Sequence, residues 1–143
     1  MQRGQDASGV IVINEQNRVL LVHQTYGKQV WALPGGMVED GESAWEAASR
    51  ELQEEASISA PGMDLAGLYY QPHKKRYIFT FKARGYEGRI EVDNKEIDRY
   101  GFFDLEHLPK PISSFTVQRI VDALTHSGTV YKEETLDRYR IIV

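Results

Sequence analysis

The chain reads as an α/β protein in which a mixed β-sheet lies between helices. Two segments carry the 3.6-residue apolar period of amphipathic helices, 44–56 and 117–124, and several runs of β-branched and aromatic residues separate them. A sheet with helices before and after some of its strands is most simply covered on both faces. At 143 residues the length fits one domain with a sizeable core, and residues 1–143 are read as such, with 129–143 as a C-terminal tail.

The elements follow in order. Segments 8–13 and 19–23 are strand-like and flank the polar turn Asn14-Glu15-Gln16-Asn17-Arg18, which predicts a hairpin of central strands. Segment 30–33 is a short strand, and Leu33-Pro34-Gly35-Gly36 can end it in a sharp turn. Ser43 followed by Glu46 is a capping box, so a helix starts at Ala44. On its wheel Ala44, Trp45, Ala47, Ala48, Leu52 and Ala56 face inward, and Glu46, Ser49, Arg50 and Gln53 face water. The helix leaves through Ser57, where glycine is the usual residue if the backbone turns left-handed. Segments 63–71 and 76–84 form a second strand pair around Pro72-His73-Lys74-Lys75, and 100–104 is a further short strand. Val117, Ile120, Val121 and Leu124 then recur as one apolar stripe, with His126 placed to meet the negative end of that helix. The tail holds two β-prone runs, and its final Ile-Ile-Val calls for burial on this domain or in a partner subunit, so a homodimer is one arrangement to expect.

Chemistry concentrates on the first helix. Glu51, Glu54 and Glu55 share an arc of about 100° and leave the helix beside its buried stripe. Carboxylates crowded next to a core repel one another and titrate upward unless a cation neutralises them. A hard divalent ion suits an all-oxygen donor set, and Mg²⁺, which keeps waters and bridges carboxylates to phosphates, suits it best, with Mn²⁺ able to substitute. Gly35 and Gly36, without side chains, let a ligand or metal approach the backbone closely.

The stretch 36–58 resembles the signature of the Nudix hydrolase family, with Gly36, Glu42, Arg50, Glu51, Leu52, Glu54, Glu55 and Ile58 at the family's spacing and Ser57 where the family has glycine. Trp31-Ala32-Leu33-Pro34-Gly35-Gly36 precedes it as in the family. The resemblance implies an α/β/α sandwich and metal-dependent hydrolysis of a phosphoanhydride in a nucleoside diphosphate linked to another moiety. It implies that Glu51, Glu54, Glu55 and the Gly35 carbonyl hold metal, that one of the acids orients or deprotonates water, and that Arg50 pairs with a carboxylate, Glu42 being the candidate. In the family a Glu outside the signature sometimes serves as ligand or base. Glu96 is the candidate here, against Asp93, Asp98 and the plainer reading of a solvated loop acid.

Charge is distributed unevenly. The net charge is −4, yet 36–58 carries −6 and 71–89 carries +5. An acidic clamp and a basic segment suit a polyphosphate substrate, with Arg76 as one contact, while Lys74, Lys75 and Arg76 equally suit a solvated hairpin loop. Lys28 either reaches a phosphate or belongs to a simple turn in Tyr26-Gly27-Lys28-Gln29. Tyr26, Trp31, Tyr69, Tyr70, Tyr77 and Tyr100 are candidates to stack on a base, Tyr77 foremost, although most aromatic residues serve the core or its rim.

Absence of cysteine excludes disulfides, thiolate metal sites and a cysteine nucleophile. His23, His73, His107 and His126 show no ligand spacing. The longest apolar run, 10–13, is far below a membrane span, residues 1–8 show no secretory signal, and a cytoplasmic protein without DNA-binding function is expected. Nucleoside triphosphates and ADP-ribose-like sugars stay open as substrates. The alternative to an enzyme is a nucleotide-binding sensor that keeps the fold without the chemistry.

Overall fold

The computed structural model describes residues 3–143, so the first two residues of the polar N-terminal stretch lie outside it. The strands are β1 (Ala7–Ile13), β2 (Val19–Gln24), β3 (Trp31–Ala32), β4 (Gly35–Met37), β5 (Asp64–Gln71), β6 (Arg76–Arg84), β7 (Ile97–Phe103), β8 (Ile112–Ser113), β9 (Val130–Glu133) and β10 (Ile141–Ile142). The helices are α1 (Ala44–Ala56) and α2 (Ser114–Thr125).

β1 explains why both helices pack where they do. All of Ser8 to Ile13 is buried, because alternate residues serve opposite faces. Val10 and Val12 join Leu52, Ala48 and Ala56 of α1, while Ile11 and Ile13 join Ile120 and Ala123 of α2. Each face therefore has its own core, and the expected α/β/α sandwich is present.

The strand order runs β10-β8-β3-β2-β1-β6-β5-β9, with β4 added on β1 and β7 on β2. β1 pairs in parallel with β6 along its whole length, and β2 pairs antiparallel with β7. The hairpin expected between β1 and β2 exists only at its turn, where Ile13 pairs with Val19. Beyond that pair each strand takes other neighbours, β4 for β1 and β3 for β2. Separation of β1 from β2 opens a wedge in the sheet, and a cleft lies there.

Three further expectations change. Gly35 and Gly36 do not form a turn: they are strand residues opposite Gly9 and Ser8. Segment 30–33 shrinks to Trp31 and Ala32, and the strand expected at 100–104 begins three residues earlier, at Ile97. Trp45 is 40% exposed and meets the core in an edge-on contact with Phe81.

α2 is also rotated from the stripe read in the sequence. Of the four stripe residues only Ile120 is fully buried, and Phe115, Thr116, Asp122 and Ala123 go inside with it. Asp122 can be buried because Tyr69 donates to it at 2.8 Å, Lys132 at 2.8 Å and Gln118 at 2.9 Å. Lys82 closes the other end of α2, donating to the carbonyls of Ala123 and His126. The tail is part of the domain: β9 pairs with β5 and β10 pairs with β8, so Ile141 and Ile142 find cover within the chain itself.

Candidate functional site

The capping box of α1 forms as its sequence requires, with Ser43 accepting from the Glu46 N–H and Glu46 accepting from that of Ser43. Its far end is also as expected: Ser57 is left-handed at φ 61°, its N–H bonded to the Gln53 carbonyl and its hydroxyl to that of Glu91. With both ends fixed, the helix presents its acids to β4.

Gly36 is where they meet. A Cβ on Gly36 would lie 2.7 Å from the Glu51 carboxyl carbon, and one on Gly35 would collide with the Ser8 carbonyl. Neither glycine has positive φ, so close approach, and not turn geometry, is what requires them. The Gly35 N–H donates to Glu55 at 3.2 Å.

Glu55 is 5% exposed. Burial, and then the neighbouring Glu51 carboxylate, push its pKa up to about 9. Burial also raises Glu51, against the pull of Arg50. Arg50 donates to Glu42 through two nitrogens at 2.8 and 2.9 Å, to Glu51 at 2.8 Å, to Glu54 at 3.3 Å and to the Met37 carbonyl at 3.1 Å. It ties the loop before α1 to the helix and holds the Glu42 pKa down to about 2.

The three acids are not alike. Glu51 and Glu55 turn inward together, whereas the Glu54 side chain is 58% exposed and rests on Arg50. The expected convergence of all three where solvent is scarce is thus only two-thirds realised, and among the described residues no three acidic or imidazole groups stand at metal-ligand spacing. Donor chemistry nevertheless fits a hard dication. Of the two inward carboxylates only Glu51 meets Arg50, Glu55 has no cationic partner among the described residues, and every candidate ligand atom is oxygen.

Beside these acids lies the cleft in the sheet wedge, about 410 Å³, lined by Gly35, Gly36, Tyr26, Thr80, Arg76 and Arg119 among others. Tyr26 joins the two regions, since burial and then Glu55, Glu96 and Glu51 raise the pKa of its hydroxyl. Glu96 is exposed but placed near the same acids: its carbonyl accepts from the Thr25 N–H at 2.9 Å, and its charge adds to the upward push on Glu55. Asp98 instead accepts from His23 at 2.7 Å.

Arg76 enters the cleft wall, but Tyr77 does not. Side chains alternate along β6, so Arg76, Ile78 and Thr80 share the cleft face. Tyr77 faces the other way, against Tyr70 and Arg3. Lys28 belongs to the turn closed by the Gln29 N–H on the Tyr26 carbonyl, with its ammonium 5.8 Å from the Tyr139 ring centre. Arg119 and Thr80 were not visible as site residues in the sequence. Arg119 carried one usable signal, a charge three residues from each of two inward positions of α2, Thr116 and Asp122.

A two-helix sandwich with a glycine strand against an acidic helix defines a protein built to place carboxylates beside a cleft. The model of the NUDIX domain matches residues 3–123, and the chain belongs to that family. It is 36% identical over 107 residues to an ADP-ribose pyrophosphatase from Methanocaldococcus jannaschii, covering 69% of this chain and 62% of that protein. To a putative 8-oxo-dGTP diphosphatase from Bacillus subtilis it is 46% identical over 89 residues, covering 61% and 58%. The chain thus spans about three fifths of the length of these two relatives. A solved NUDIX hydrolase from Nitrosomonas europaea superposes with a TM-score of 0.80 at 20% identity, over 94% of this chain and 81% of that one, which shows the shared fold.

Proposed function

We propose that this protein is a Mg²⁺-dependent hydrolase of the pyrophosphate linkage in nucleoside diphosphates joined to another moiety. The observation that carries this is the pair of half-buried Glu51 and buried Glu55, held against Gly35 and Gly36 at the edge of a cleft of nucleotide size. Relatives named as an ADP-ribose pyrophosphatase and an 8-oxo-dGTP diphosphatase support the reaction class, and leave nucleoside triphosphates and ADP-ribose-like nucleotides as the substrates to test first.

In this reading Glu51, Glu54, Glu55 and the Gly35 carbonyl hold the metal, with Mn²⁺ able to replace Mg²⁺. When bound, such an ion acidifies water and neutralises charge growing on phosphoryl oxygens. Arg50 positions Glu51 and Glu54 and anchors the loop through Glu42. Glu51 and Glu96 are the two candidates to accept the proton of the attacking water. Arg76 meets the substrate from the cleft wall and Tyr26 closes the side next to the acids, while neither Lys28 nor Tyr77 lines this cleft. No helix among the described residues is long and apolar enough to cross a membrane, and a cytoplasmic site of action is part of the proposal.

The outward Glu54 is the one observation that favours a nucleotide-binding sensor instead. Product release measured with Mg²⁺, with Mn²⁺ and with EDTA separates the readings. Hydrolysis that EDTA abolishes, and that Glu54→Gln lowers by roughly 10²-fold or more, supports the enzyme. Binding without turnover of any nucleotide overturns it.

A further inference from the structure

We propose that the substrate carries a phosphate monoester on the part remote from the scissile bond, and that Arg76 and Arg119 hold this group at the junction of two clefts. The inference rests on the hydrolase reading and specifies its substrate class.

Arg76 and Arg119 line the cleft beside the acids and also a second one of about 400 Å³, which His73, Lys74 and Tyr139 complete. They form the wall the two share. A ligand reaching from the acids past this wall must run along both guanidinium groups.

Their charge is incompletely matched. Arg119 is held by Glu134, at 2.6 and 2.9 Å, and Glu134 in turn accepts from Gln71. Arg76 has only neutral partners, the Gln71 carbonyl oxygen at 2.8 Å and the Met37 sulfur at 3.6 Å, and makes no ion pair among the described residues. Asp6, a nearby acid, is already engaged by Arg3 and by the Tyr77 N–H. Burial, and then repulsion from Arg119, lower the Arg76 pKa against the attraction of Glu134 and Asp6. Lys74 adds a further positive charge in the outer cleft.

Thr80 is the second, independent observation. It is 1% exposed, its hydroxyl has no hydrogen-bond partner among the described residues, and it lines the inner cleft on the same strand face as Arg76. A buried hydroxyl without a partner is costly, and a ligand oxygen would supply one. Guanidinium and ammonium groups only donate, so the group they receive must be rich in acceptors. More than one uncompensated positive charge fits a phosphate dianion better than a single carboxylate.

The test uses pairs that differ by one phosphate: coenzyme A and its dephospho form, NADPH and NADH, and 2′-phospho-ADP-ribose and ADP-ribose. The readout is the ratio of kcat/KM within a pair, so a general loss of activity cancels. We expect a preference of about tenfold or more for the phosphorylated member of at least one pair, falling to about threefold or less in Arg76→Gln and in Lys74→Ala. Lys74→Ala changes a surface side chain and decides the matter if Arg76→Gln fails to fold. Ratios near one in every pair, or ratios unchanged in the variants, overturn the proposal. Should none of the six compounds be hydrolysed, the hydrolase reading suffers, and calorimetric titration of the same pairs decides the anion site separately. Equal Kd values within every pair then reject it, and tighter binding of a phosphorylated member that Arg76→Gln abolishes sustains it.

Discussion

Gly36 and Glu51 occupy complementary volumes: the position where a Gly36 side chain would begin is 2.7 Å from the Glu51 carboxyl carbon and from one of its oxygens. Glu51 can lie flat on β4 only because nothing projects from that strand. Gly36→Ala would push the carboxylate off its seat and away from Arg50. We expect turnover to fall by about 10-fold or more, with a higher Mg²⁺ concentration needed for half-maximal rate. Steady-state rates over a Mg²⁺ series check this, and wild-type values would show that Glu51 can yield freely.

Metal binding should be visible without substrate. An ion that binds the folded chain alone at 100 times its Kd adds about 2.7 kcal/mol, which for a domain of this size raises Tm by roughly 10 °C. Glu55→Gln removes a deeply buried ionisable group whose neighbour repels its charge. That variant should melt higher than wild type in EDTA and lose most of the rise caused by Mg²⁺ or Mn²⁺. Differential scanning calorimetry gives both numbers, and an undiminished metal-induced rise would remove Glu55 from the ligand set.

Asp122 predicts the acid limb of the stability curve. Burial alone would raise its pKa, but hydrogen bonds from Lys132, Tyr69 and Gln118 outweigh this and hold it below the ordinary 3.8. The unfolded chain therefore takes up this proton first as pH falls. The stabilisation is complete above about pH 4 and is lost progressively below it, down through the depressed folded value. Urea midpoints measured from pH 6 to pH 2 should fall less steeply in Asp122→Asn than in wild type. Parallel curves would mean that other acids govern the limb.

Ser57→Gly tests the left-handed end of α1. Relief of a φ of 61° is worth roughly 1 kcal/mol, and loss of the exposed bond to Glu91 costs about as much. The net change in stability should stay within about 0.5 kcal/mol, read from the midpoint of urea unfolding. A large loss would assign the serine hydroxyl a greater part than its exposure suggests.

What was legible in the sequence was what neighbours in the chain decide. The α1 bounds, its capping box and the cap position at Ser57 involve residues within one or two helical turns, whereas the Arg50 to Glu42 pair was implied by the family resemblance. The two-faced burial of β1 follows from its unbroken apolar run. What could not be read depends on separated segments meeting. Gly35 and Gly36 suggest a turn by composition and become strand residues only because β1 offers an edge there. The inner wall of the cleft needs β6, α2 and β9 together: Arg76 and Arg119 come into one wall through Gln71 and the buried Glu134, 58 residues beyond Arg76 in the chain. No local pattern marks such a meeting. Tyr77 was misplaced for a smaller reason, since alternation along β6 names two faces but does not say which one holds the cleft.

An apolar run that suits either face equally cannot set its own alignment, because a slip of one residue would still bury every side chain of Val10 to Ile13. In β1 that ambiguity is resolved at the N-terminal end, where Gly9 faces Gly35 and Ser8 faces Gly36 across the ladder. A Cβ on Gly35 would meet the Ser8 carbonyl at that crossing, so the pairing that makes room for the acids also admits only a residue without a side chain there. Lesions there should surface as poor yield and heterogeneous folding at least as often as clean loss of rate, and a mutational survey scored by activity alone would mistake one for the other.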